Sequence, residues 1–167
     1  DPGVVWRELL QTTDDQIYRV KERGLHDYTK RNLKSRRFLL ADRDPFVVLP
    51  VPWVNKSAAW SPKMGDYAAV IYRDKIYPVI LGDAGPTYKV GEASLRLARE
   101  LNSKADGKTR AVSDLTVTYL FFPKSSTGMR EPDLGSWRKR VTELLDEIGG
   151  LGEGSSLHSW EGPGEDP

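Results

Sequence analysis

Asp83 and Glu92 stand nine positions apart in the stretch Ile80-Leu81-Gly82-Asp83-Ala84-Gly85-Pro86, continued by Val90-Gly91-Glu92-Ala93-Ser94. Four glycine or proline residues share that stretch with them. Glycine lets a backbone turn sharply and lets a bulky ligand approach. A carboxylate at a strand end and another at a helix start can then face one cleft. Such a pair suits the cleavage of a bond between two sugars: one carboxyl protonates the leaving oxygen, and the other attacks the sugar or activates water. The same residues also fit a purely structural part, with Asp83 capping a turn and Glu92 favoured in a first helical turn by the dipole.

Other chemistries find little support. The 167 residues contain no cysteine, which excludes disulfides, thiol nucleophiles and thiolate metal sites. His26 and His158 lie far apart with no partner at metal spacing, so no metal site is expected. Ser57, Ser61 and Ser94 sit in no nucleophile-elbow pattern, and the Gly82 to Gly91 stretch lacks the ending of a phosphate loop. Basic residues number 25 and acidic ones 24, so no long-range field attracts nucleic acid or an anionic membrane. Nothing approaches the run of about 18 apolar residues that a membrane span requires.

The elements that must position the two carboxylates can be read from periodicity. Asp14 to Leu33 has a loose helical pattern broken by Gly24, which predicts one or two short helices. Phe46 to Trp53 favours extended backbone, but its two prolines predict an edge strand. Tyr67 to Tyr72 and Lys75 to Leu81, separated by Arg73-Asp74, predict a hairpin whose second strand ends at Gly82-Asp83. Leu95, Ala98 and Leu101, with Ala93 and Leu97, have helical spacing, so a buried helix should begin near Glu92. Asp114 to Phe122 reads as a strand, covered on both faces at its end. Pro132 and Asp133 open a last helix, with Trp137, Val141, Leu144, Leu145 and Ile148 on one face and Gly149-Gly150 as its stop.

Together these predict an α+β fold, a small mostly antiparallel β-barrel core with flanking helices. A single catalytic domain is expected over residues 1–152: a helical or irregular arm at 1–45, a β-rich core with the motif helix at 46–122, and the C-terminal helix at 132–149. Residues 153–167 read as a flexible tail, too poor in apolar content to pack well except at Leu157 and Trp160.

The motif resembles the signature of glycoside hydrolase family 75, the fungal-type endo-chitosanases. In that family a strand ends in Gly-Asp, a glycine-containing loop follows, and Gly-Glu-Ala-Ser opens a helix with Leu-Ala inside it. The matching residues are Gly82-Asp83, Gly85-Pro86, Gly91-Glu92-Ala93-Ser94 and Leu97-Ala98. The resemblance implies an inverting endo-hydrolase of β-1,4-linked glucosamine polymers, with Asp83 and Glu92 both essential and no cofactor. The loop between the carboxylates is shorter than in fungal members, and the cysteines common there are missing. A helix dipole at Glu92 would favour its ionised form, making Glu92 the base and Asp83 the acid. A mildly acidic optimum is expected, since one carboxyl must be protonated and the other ionised.

Chitosan is a polycation, so its cleft should be acidic, and Asp66 and Asp74 stand near the pair in sequence as candidates for substrate binding. Trp53, Trp60, Tyr72 and Tyr88 could offer flat faces to sugar rings, with Tyr88 in the motif loop foremost and Tyr72 beside it as a binding residue. The alternative reading is a carbohydrate-binding or cell-wall interaction module that does not use the pair. A polysaccharide is the expected partner and a monomer the expected state. A secreted or cell-envelope location is expected, with the start Asp1-Pro2-Gly3 following a removed leader.

Overall fold

Tyr67–Tyr72 (β2) and Lys75–Gly85 (β3) form the predicted hairpin, with Tyr72 opposite Lys75 and Tyr67 opposite Ile80. Arg73 adopts φ 56°, the left-handed conformation that a tight hairpin turn needs. The computed structural model describes residues 39, 41–85, 89–108, 110–128 and 132–161. The helices expected within Asp14 to Leu33 lie outside the described residues, as does Tyr88.

Around the hairpin stand β1 (Phe46–Pro50), α1 (Val51–Val54), β4 (Glu92–Ala93), α2 (Leu95–Leu101), β5 (Thr118–Phe121), α3 (Leu134–Asp146) and β6 (Ser156–Leu157). The strands make one six-stranded sheet of order β4-β1-β3-β2-β5, with β6 also paired to β3. The fold is α+β as expected, and three of the five pairings are antiparallel, β1 and β6 running parallel to β3.

Two expectations need correction here. The strand β1 is interior, flanked by β4 and β3, and not an edge. Its prolines do no harm because Pro50 is the last paired residue, while β4 covers only Val47 and Val48, so the missing N–H faces no partner. The barrel is not closed either. Among the described residues no backbone ladder joins the two ends of the sheet, β4 and β5, because β4 is only two residues long. Side chains span the gap instead: the Tyr119 hydroxyl on β5 donates to the Glu92 carbonyl on β4 at 3.4 Å.

Alternation along the strands divides the core between the two faces. On one face Phe46, Tyr67, Ala69, Ile76 and Ile80 pack beneath Trp137, Val141, Leu144 and Leu145 of α3. Ile148, placed by periodicity on the same helical face, is 62% exposed because α3 ends at Asp146 and the chain turns away before Gly149. On the other face Val47, Ala68, Val70, Tyr77 and Val79 pack with Leu97 of α2 and with Trp160. Full burial of a leucine such as Leu97 contributes about 1.5–3 kcal/mol, which anchors a seven-residue helix too short to be stable alone.

Part of the stretch expected as a tail packs on the sheet, through the two apolar residues excepted from it, Leu157 and Trp160. Ser156–Leu157 pairs with Lys75 and Ile76, and Trp160, 7% exposed, donates its indole N–H to the Pro78 carbonyl at 2.7 Å. Pro78, opposite Ala69 of β2, is tolerated inside the longest strand because on the other edge of β3 its position falls between the end of β6 and the start of β1.

Candidate active site

The register of three strands decides where the two motif carboxylates lie. Val48 on β1 is opposite Asp83 on β3 and opposite Glu92 on β4. Side chains level with one another on neighbouring strands share a face, so Asp83, Val48 and Glu92 form one row across the sheet. The β1–β3 register shifts between Val47 and Val48, pairing Val47 with Leu81 and Val48 with Asp83 and leaving Gly82 unpaired. Without that bulge Gly82 would oppose Val48 and the Asp83 side chain would point to the opposite face. Gly82 suits the bulge because a Cβ there would come within 2.6 Å of Phe46. The Gly-Asp pair is therefore a device that re-aims one carboxylate.

Glu92 is held differently. It sits on β4 and not at a helix start, because the first turn of α2 begins at Leu95 behind its N-cap Ser94. The helix-dipole argument for its ionisation accordingly falls away. Ser94, 2% exposed, accepts hydrogen bonds at its hydroxyl from the N–H groups of Phe46 (3.1 Å) and Leu97 (3.3 Å), and its own N–H donates to the Phe46 carbonyl at 2.8 Å. The Gly-Glu-Ala-Ser motif thus ties the helix to β1 two residues beyond Glu92.

The Glu92 side chain, 26% exposed, is paired with the Lys89 ammonium at 2.5 Å. Gly85 makes room for it, since a Cβ on Gly85 would lie 2.7 Å from Glu92 Oε2. Burial and then the nearby charge of Glu92 push the Tyr119 phenol up to about 12, so it stays a hydrogen-bond donor across the working pH range. Asp83 is exposed, and its Oδ1 accepts from the Ala84 N–H at 2.8 Å. Lys89 and Tyr119 were not legible as site residues. Lys89 lies three positions before Glu92, but Tyr119 comes from the far edge of the sheet and gives no local signal.

The other expected site residues do not gather at this row. Asp66 is 1% exposed, and its carboxylate accepts from the backbone N–H groups of Lys63 (2.7 Å), Lys124 (3.2 Å) and Ser126 (3.0 Å). It pins two loops and presents no oxygen to solvent. Asp74 and Tyr72 lie at the hairpin turn, eight or nine strand positions from Asp83, a distance of about 26–30 Å. The acidic cluster expected from sequence is therefore spread along the strand. Tyr72 instead carries the Arg73 guanidinium 5.0 Å from its ring centroid. Trp53 and Trp60 are 46% and 62% exposed, at the end of the sheet where β1 passes into α1.

A cleft of about 490 Å3 opens between the sheet and α3, lined by Tyr67, Ile80, Trp137, Arg140 and Glu143 among others. It lies on the face that carries Val48, but neither Asp83 nor Glu92 lines it. Its acidic groups are committed: Glu143 pairs with Arg140 at 2.9 Å, and Asp133 caps α3 by accepting from the Ser136 N–H at 3.0 Å. No group of three or more His, Asp or Glu suited to a metal occurs among the described residues.

Comparison with known proteins adds one match. A family model described as fungal chitosanase of glycosyl hydrolase group 75 matches residues 11–155. No curated protein matches the chain.

Proposed function

The chain belongs to the fungal chitosanase family of glycosyl hydrolase group 75 and is a glycoside hydrolase, and on that premise we propose that it cuts β-1,4 bonds within chitosan or a related amino-sugar chain, with inversion. Asp83 and Glu92 are the acid–base pair of this reading. The observation that carries it is the row in which Val48 separates the two carboxylates.

Two strand spacings put the outer Cα atoms about 10 Å apart. That spacing suits the gap of about 6.5–9.5 Å between carboxyl groups that leaves room for a water beside the sugar, against about 5–5.5 Å for direct attack. Glu92, ion-paired to Lys89, takes the proton of that water as the water oxygen bonds to the anomeric carbon. Asp83, exposed on the other side of Val48, gives its proton to the departing glycosidic oxygen. The new hydroxyl then lies on the face opposite the broken bond, so a β-linked chain yields an α-product.

No helix among the described residues is long and apolar enough to cross a membrane. The reading includes a monomeric enzyme acting outside the cell or in its envelope, where such polymers are found.

Reducing-end release from soluble chitosan tests the activity, and proton NMR of the first product tests the stereochemistry. New chain ends should appear, carrying an initial α-anomer. An initial β-anomer contradicts inversion, and binding without new ends contradicts hydrolysis. The division of labour has its own test: azide should restore turnover to Glu92→Ala, and rescue of Asp83→Ala alone would reverse the roles.

A further inference from the structure

We propose that Lys89 is a positioning residue for the reaction: it holds one oxygen of Glu92 so that the other serves the attacking water, and it keeps the ammonium groups of the substrate from pairing with the base. This rests on the reading of Asp83 and Glu92 as the reacting pair.

The two oxygens of Glu92 are placed differently. Oε1 takes the Lys89 ammonium at 2.5 Å. Oε2 lies over the bare backbone of Gly85, where a Cβ would come within 2.7 Å of it and within 3.1 Å of Val48 Cγ1. The side chain therefore reaches from β4 across Val48 to β3. Gly85 stands two positions beyond Asp83 on that strand, on the same face and about 7 Å along it. With Oε1 held by Lys89, Oε2 remains over the strand that carries Asp83.

Gly91 builds the contact. It adopts φ 80°, and a Cβ there would meet nothing within 4 Å, so the position requires glycine for its backbone and not for space. This left-handed residue turns the chain between Lys89 and Glu92, whose side chains meet three positions apart. Lys89 is 56% exposed and Glu92 26%, so the pair adds little to stability, and its effect falls on the carboxylate.

The substrate supplies a competing cation. Glucosamine carries its amine on the carbon beside the anomeric one, so a carboxylate placed to take a proton from water at the anomeric carbon is also within reach of that ammonium. An ammonium that took Glu92 would hold the sugar tightly with the water displaced, and binding of that kind slows turnover. Lys89 already holds Oε1 and repels a second cation. The site thus gives up some affinity for a polycation and keeps its base for the water.

Reducing-end release from a glucosamine hexamer by the full chain, with kcat and KM measured separately, tests this, together with calorimetric binding of the hexamer in an Asp83→Asn background. Lys89→Met should melt like the wild type, lose about tenfold in kcat and lower KM about two- to fivefold, a fall in both that mere loosening of the site does not give. Lys89→Arg, which keeps the charge, should stay near wild type in both constants. In the Asp83→Asn background Lys89→Met should bind the hexamer about two- to fivefold more tightly. An unchanged kcat in Lys89→Met, unchanged or weaker binding, or Lys89→Arg behaving as Lys89→Met would overturn the proposal. The two readings fail separately. Undiminished release by Asp83→Asn alone sinks the reading of the pair, and the binding comparison still decides whether Lys89 guards Glu92.

Discussion

At the scale of single residues, Gly85 shows how closely the site is fitted. A Cβ there would stand 2.7 Å from Glu92 Oε2 and 3.1 Å from Val48 Cγ1. Glu92 meets it with the flexible tip of its side chain, so Gly85→Ala should displace the carboxylate without unfolding the strand. A shift of about 1 Å in a reacting group can cost on the order of 100-fold. We expect kcat for Gly85→Ala to fall about 10- to 100-fold with little change in Tm; a near-wild-type kcat would show that the Glu92 position is not critical. Asp83 and Glu92 are proposed from the glycine-bounded motif and its family resemblance, and the fold sets them level with Val48 in one row. The engagement of Asp66 was not legible in sequence, because two of the amides that it binds belong to Lys124 and Ser126, 58 and 60 positions away. Residue type reveals which groups can carry charge, and only the fold reveals which are already bound.

Among the elements, the hairpin and α3 could be read from periodicity, whereas the position of β1 and the existence of β6 could not. Proline excludes a residue from a ladder only where a partner faces its nitrogen, and that depends on how far the neighbouring strand extends. The two residues of β6 are too few for any pattern, yet they bring His158 and Trp160 onto the sheet. His158 lies 5.0 Å from the Tyr77 ring and 4.5 Å from that of Trp160, centroid to centroid. Burial holds its pKa below the usual 6.5, with Lys75 and Arg96 acting in the same direction and Glu100, at 3.6 Å, opposing. The neutral ring is thus the form the fold prefers. Its contribution is complete above pH 6.5 and is lost as pH falls toward the lower folded-state value, because the unfolded chain takes up the proton first. The wild-type Tm should therefore drop between about pH 7.5 and about pH 5 by more than that of His158→Phe, which keeps a ring without the titration. Equal drops would show that His158 plays no part in the pH dependence.

For the whole molecule, the open sheet explains how residues from its two ends cooperate. A closed ladder would consume the backbone of β4 on both sides, but among the described residues β4 pairs with β1 alone, and its carbonyl at Glu92 takes the Tyr119 hydroxyl. Sequence patterning predicted β1, β2, β3, β5 and the α+β class, but closure depends on how many residues each edge can pair, and β4 offers two. The near-balanced charge excluded a general attraction for a polycation and left recognition to a few fixed groups. The central claim is that Asp83 and Glu92, brought into one row by a bulge and a two-residue strand, perform the hydrolysis of an amino-sugar polymer. It is tested most directly by reducing-end release from soluble chitosan by Asp83→Asn and Glu92→Gln, each first shown by thermal melting to be folded. The account predicts that each variant melts near the wild type and releases fewer ends by at least about 100-fold, the usual scale of acid–base catalysis. A folded variant of either kind with near-wild-type release would contradict it.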